Sequence, residues 1–226
     1  MNVKAENKKL IEFWNNAFEK VEPMTLSSSD FDVSVDLNRL LKQLGDQCKD
    51  VLDIGCGWGY GLLAAKLLGN KMTYGLGIDP SINAVSVIEA TCENSDIDGI
   101  DAKEGTHALL SLYDDQSFDG IICSNTLDVV PEETSDEIIL EIKRLLKPQG
   151  LLLLKFNFYL DDALIEKIGM KEIDKNAYAV NGILRGVNHT TDEWFYKFDG
   201  FEVIEQTEYE RVPKGPKDRL LLLKKE

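Results

Sequence analysis

The residues best suited to chemistry are concentrated in one stretch, Val51-Leu52-Asp53-Ile54-Gly55-Cys56-Gly57-Trp58-Gly59-Tyr60-Gly61. An apolar run of strand length feeds into four alternating glycines, and a helical pattern follows at once. Four glycines are more than a tight turn needs, and glycine lets a ligand lie against bare backbone. In open α/β sheets ligands bind outside the carboxyl ends of strands, which is where this loop falls. A dinucleotide fingerprint requires G-x-G-x-x-G, and here Tyr60 stands where its last glycine should be. Asp53 precedes the first glycine by two residues. A carboxylate facing the loop repels a pyrophosphate and attracts an ammonium, so the loop predicts a positively charged ligand.

The elements that must hold this loop follow from periodicity. From Lys49 onward short apolar runs alternate with helical patterns, the signature of βα units and a parallel sheet. Strands are predicted at 51–54, 73–78, 97–100, 120–123 and 151–156, with helices over 60–68, 81–94 and 134–146. Two more strands, 201–208 and 219–223, are joined by the turn-rich Val212-Pro213-Lys214-Gly215-Pro216 and predict an antiparallel hairpin at one sheet edge. The expected fold is α/β and Rossmann-like, with a mostly parallel seven-stranded sheet over 49–226 and an N-terminal helical cover over 1–48. In the cover, Leu10, Ile11, Trp14, Ala17 and Phe18 recur at helical spacing within 7–19. Trp14 and Phe18 are read as core packing, with covering of the cleft as the alternative. A second helix is predicted over 33–44, capped by Ser29 or Asp30 and ended by Gly45.

Composition removes several classes of function. The 226 residues are 43% hydrophobic and 29% charged, which is globular and not disordered. No apolar run approaches the ~20 residues of a membrane span, and the polar start lacks a signal-peptide stretch, so a cytoplasmic protein is expected. Asp and Glu number 40 against 25 Lys and Arg, a net charge of −15. Such a field repels nucleic-acid backbones and favours a small neutral or cationic partner. Lys214, Lys217 and Arg219 form the one modest basic cluster and are read as solvated. Cys48, Cys56, Cys92 and Cys123 show no C-x-x-C spacing, and the chain has 2 histidines. Reduced, buried thiols and no metal site are expected.

Asp53-x-Gly55-x-Gly57-x-Gly59 resembles the first motif of class I S-adenosylmethionine-dependent methyltransferases. The likeness continues in order through Gly77-Ile78-Asp79-Pro80-Ser81, Ser117 to Asn125, Leu145 to Leu151, Gly200 to Ile204 and Arg219 to Leu223. It implies that Asp53, Gly55, Cys56 and Gly57 lie against the methionine part of the cofactor. Asp79, with Pro80 and Ser81, would meet the ribose, where an ionised carboxylate accepts two hydroxyl hydrogen bonds well. Ser81 can cap the following helix itself and leave Asp79 free. Ser124 and Asn125 would touch the amino-acid end. The family's acid near adenine falls at Thr106-His107-Ala108, with His107 in the acid's place; Asp101-Ala102 fits the spacing less well.

The resemblance implies transfer of the cofactor's methyl group to a small-molecule acceptor, driven mainly by positioning, with no metal. Asp128, after the fourth strand, and His189, in the stretch before the sixth, are the weak candidates for a base or substrate anchor. Asp128 is equally suited to capping the segment before Pro131, and His189 to a loop role. The Asn/Asp-Pro-Pro-Tyr/Phe pattern of amide and base methylation is missing after Ser124. A cofactor-binding regulatory module without turnover is the competing reading. The oligomeric state is left open.

Overall fold

Alternation along the strands sets the layers. In the computed structural model, which describes residues 1–226, side chains at odd and even positions enter different cores. Leu52, Ile54, Ile121, Cys123, Leu152, Leu154, Leu221 and Leu223 belong to one core cluster of 26 buried residues. Val51, Ile122, Leu151, Leu153, Leu220 and Leu222 belong to a second, of 16. A strand buried on both faces reads as an unbroken apolar run, and this is why Leu151 to Leu154 carries no polar residue.

In chain order the elements are α1 (Val3–Phe18), α2 (Asp36–Gln47), β1 (Asp50–Ile54), α3 (Tyr60–Leu68), β2 (Tyr74–Asp79), α4 (Ile82–Asn94), β3 (Ile100–Glu104), β4 (Phe118–Ser124), α5 (Glu132–Leu145) and β5 (Leu146–Phe156). They continue as α6 (Asp162–Ile168), β6 (Lys171–Asp174), β7 (Ala177–Val180), β8 (Ile183–Val187), α7 (Thr191–Tyr196), β9 (Phe201–Glu210) and β10 (Lys217–Lys225). The seven-stranded sheet runs β3-β2-β1-β4-β5-β10-β9. Val51 pairs in parallel with Gly75 on one side and Gly120 on the other, and Leu221 pairs antiparallel with Leu154. This is the expected Rossmann-like sheet with its antiparallel terminal hairpin. All four cysteines are buried and unbridged, and no helix is long and apolar enough to cross a membrane.

Three expectations are corrected. The strand predicted at 97–100 lies at Ile100–Glu104, because β3 is an edge strand whose Asp101, Lys103 and Glu104 hide the alternation. The second helix starts at Asp36, while Ser27 and Asp30 form a capping box on a separate short turn at Ser28–Asp30. Gly45 does not end α2. It sits inside the helix because a Cβ there would lie 2.1 Å from the Ala65 carbonyl oxygen, so it marks the close approach of α3. Within residues 1–48 the two helices pack in different places. Leu40, Leu41 and Leu44 of α2 are fully buried in the second core, while α1 packs on α4 and β8 and sends Leu10 into the first.

The segment 171–187, unassigned from the sequence, folds as a separate antiparallel sheet, β6-β7-β8. One of its two-residue turns is Asn181-Gly182, both at positive φ, between the paired Val180 and Ile183. Asn-Gly between apolar residues is a strong hairpin signal that the sequence reading passed over.

Candidate functional site

The carboxyl ends of β1 to β4 converge on one cavity of about 630 Å³, within the usual range for a small-molecule site. Its floor is the glycine loop after β1. Gly55 has φ +69°, and a Cβ there would meet Thr126 Oγ1 at 2.3 Å. That hydroxyl donates to the Ile54 carbonyl at 3.1 Å and ties the loop after β4 to the loop after β1. Gly57 lies under α1, where a Cβ would stand 3.1 Å from Phe18 Cζ. Trp14 and Phe18 stack and line the cavity with it, so α1 covers the cleft as well as packing Leu10 into the core.

Two carboxylates face this loop. Asp53 is 2% exposed, and its Oδ1 is buried without a hydrogen-bond partner. Burial first, and then repulsion from Asp79, pushes its pKa up to about 8. Asp79 is held differently. Its Oδ2 accepts from the Gly57 amide and its Oδ1 from the Ser81 amide, each at 2.9 Å. These bonds oppose the burial that raises its pKa. Each oxygen keeps a second lone-pair site.

The structure brings most of the remaining sequence-derived positions to the same cavity. Cys56, Pro80, Thr106, His107, Ser124 and Asn125 all line it, with the Cys56 thiol held neutral by burial. His107 opens the short turn after β3 and its Nε2 sits 2.7 Å from Glu137 Oε2. The rival Asp101 is in mid-strand, bonded by the Tyr74 hydroxyl. Ser81 and Ala108 are not in the lining. Ser81 is fully buried, caps α4 through Ala84 N and donates to Asn15 Oδ1 at 2.9 Å. It thus supports Asp79 and anchors α1.

The two weak catalytic candidates lie outside the main cavity. Asp128 is buried, and its Oδ2 accepts from the backbone and side-chain nitrogens of Asn157 at 2.7 and 2.9 Å. It borders a second cavity of about 650 Å³ and sets the position of Asn157. His189 reaches neither cavity. Its Nε2 bonds Glu132 at 2.9 Å, its ring stands edge-on to Trp194, and its carbonyl accepts from Arg219. Arg219 itself is 6% exposed and also donates to the Asn157 carbonyl, so it is not the solvated loop charge expected.

Sequence reasoning missed the other half of the main cavity, over β5, β10 and β9. Lys155, Asn157, Arg185, Tyr209 and Arg211 line it. Lys155 pairs with Asp218 at 3.1 Å and also donates to the Asn125 side chain. Arg211 takes the same carboxylate at 2.8 Å. Two cations therefore share one anion, and the chain's overall charge of −15 does not describe this half. One signal existed, Lys155 breaking an apolar strand at its carboxyl end. The others sit far apart in the chain and carry no motif.

Residues 51–150 match the methyltransferase domain family. The chain is 28% identical over 136 residues to the ribosomal protein L11 methyltransferase of Fusobacterium nucleatum, a match spanning 60% of this chain and 41% of that one. The matched part is thus less than half of the relative's length. A SAM-dependent methyltransferase structure from Methanosarcina mazei superposes with TM-score 0.65 at 21% identity, covering 80% of this chain and 93% of that one. The 1,6-didemethyltoxoflavin-N1-methyltransferase of Burkholderia thailandensis, solved with that substrate and S-adenosylhomocysteine, gives 0.61 at 16% identity over 84% and 76%. At these identities the structural likeness establishes the fold.

Proposed function

We propose that this chain, whose residues 51–150 match the methyltransferase domain family, is a class I S-adenosylmethionine-dependent methyltransferase and transfers the methyl group of that cofactor to a small-molecule acceptor held over β5 and β10. The observation that carries the reading is the buried, unpartnered Oδ1 of Asp53 beside the glycine loop. A desolvated carboxylate with no cation is costly, and a ligand ammonium satisfies it. When bound, the cofactor supplies its own leaving group, a sulfonium.

The chain's residues bind, orient and exclude water. Asp79 keeps one free acceptor site on each oxygen for two ribose hydroxyls, while Gly57 and Ser81 fix its rotamer. His107 and Thr106 bound the end of the cavity assigned to adenine, and Ser124 and Asn125 the end assigned to the amino acid. Trp14 and Phe18 shield the cleft from above. On the acceptor side burial and Asp218 push the Tyr209 phenol up, so it stays protonated and serves as a hydrogen-bond donor. Burial lowers Lys155, with Asp218 opposing. Holding two reactants aligned supplies ~7–11 kcal/mol of a barrier without any general base.

Calorimetric titration with S-adenosylhomocysteine, beside NAD as control and repeated on Asp79→Ala, tests the cofactor assignment. Micromolar binding of the first, none of the second and loss in the variant are expected. Binding of NAD in its place sinks the reading. Turnover of radiolabelled methyl onto any acceptor separates the enzyme from a cofactor-binding module.

A further inference from the structure

The two cavities meet at Asn157, Arg185 and Arg211, the polar residues that line both. Arg185 stands on β8, with its guanidinium 4.8 Å from the Phe13 ring and 5.2 Å from the Trp14 ring. Its Nη1 is buried without a hydrogen-bond partner. No carboxylate answers it, and desolvation alone acts on its ionisation. The residue is half-buried, and a guanidinium nitrogen shut off from both water and protein acceptors is costly to leave unpaired. Arg211, beside it, shares Asp218 with Lys155, so the junction holds more cations than anions. Past the junction the second cavity is walled by Phe158, Leu160, Met170, Val180 and Ile183.

We propose that the methyl acceptor is a small organic anion, a carboxylate or phosphate ester on an apolar body, whose charge is received at the cavity junction by Arg185 and Arg211. This rests on the methyltransferase reading and names the acceptor class for the same site. Guanidinium forks match carboxylate and phosphate oxygens. The apolar body lies along the second cavity, and the local surplus of cations at the junction acts against the chain's net acidity there.

The test uses the intact protein saturated with S-adenosylhomocysteine. Phenylbutyrate, phenylbutyl phosphate and phenylbutylamine are titrated by calorimetry, and thermal shifts are read in parallel. At least one of the anions should bind about tenfold or more tightly than the amine, and the better of the two identifies the head group. In Arg185→Met that preference should fall by about tenfold. Free of ligand, Arg185→Met should melt no lower than the parent, since methionine keeps the contact with Phe13 and Trp14 and removes an unpaired charge. Equal binding of amine and anions, no binding of any probe, or a variant that melts several degrees lower overturns the proposal. Binding of S-adenosylhomocysteine, measured before the probes are added, fails only if the methyltransferase reading itself fails.

Discussion

The two halves of the main cavity are made in different ways. The half over β3, β2, β1 and β4 comes from short turns, each at the carboxyl end of a parallel strand, and its charges are carboxylates. Backbone amides hold Asp79, and a bare glycine backbone forms the floor. The half over β5, β10 and β9 comes from side chains at 155–157, 185 and 209–211, drawn from two sheets, and its free charges are cations. Backbone-built sites travel as local motifs. Side-chain sites assembled across layers do not, and here the two kinds have also taken opposite signs.

The largest effect should come from disturbing the backbone-built half. Gly55→Ala forces a methyl into a left-handed residue and against Thr126, which the Ile54 carbonyl holds in place. Strain and overpacking together should cost about 2–4 kcal/mol in urea unfolding, and binding of S-adenosylhomocysteine should be lost with them. A Gly55→Ala protein that binds and unfolds like the parent would show that the loop is not the floor of the site.

Next comes pH. Asp53 sits at about 8 in the free folded protein, and a bound ammonium requires its ionised form. Affinity for S-adenosylhomocysteine should therefore rise by roughly tenfold per unit as pH climbs toward 8, and then level. The complex should release a proton, which calorimetry in two buffers of different ionisation enthalpy detects. Asp53→Asn should bind weakly with no such slope. The free protein should behave in the opposite sense. Between the ordinary aspartate value of 3.8 and about 8 the folded state holds one proton more than the unfolded chain. Its stability should then fall as pH rises through that window, more steeply in the parent than in Asp53→Asn, where buried Asp79 and Asp128 still contribute in the same direction.

The smallest expected effect is at the rim. His107 already spends its Nε2 on Glu137, so His107→Gln should weaken S-adenosylhomocysteine only a few-fold by calorimetry. A loss as large as that of Asp79→Ala would promote His107 to a principal anchor.

This contrast also explains what was legible. The glycine loop, Asp79 and the Ser124-Asn125 turn could be read because each lies within a few residues of a strand whose apolar run announces it. Ser81 was readable as a helix cap, but that its hydroxyl also anchors Asn15 of α1 was not. β3 was misplaced because an edge strand with one exposed face lacks a clear pattern. Asp128 and His189 looked like reactive groups by type and position, yet the fold turns both toward structural partners, Asn157 and Glu132. Lys155 was visible as a charge ending an apolar run, but its meaning depends on Asp218, which lies more than sixty residues further along the chain.

By itself the sequence determined the strand and helix order, the parallel sheet with its terminal hairpin, and the acidic, glycine-lined half of the site. All of these follow from local periodicity, turn chemistry and backbone freedom, which act over a few residues. Tertiary structure alone decided that α2 is core while α1 roofs the cleft, that residues 171–187 form a second sheet, and that Arg185 and Arg211 meet beside Asn157. Those outcomes depend on which distant surfaces exclude water together, and on charges whose partners are chosen by packing rather than by spacing along the chain.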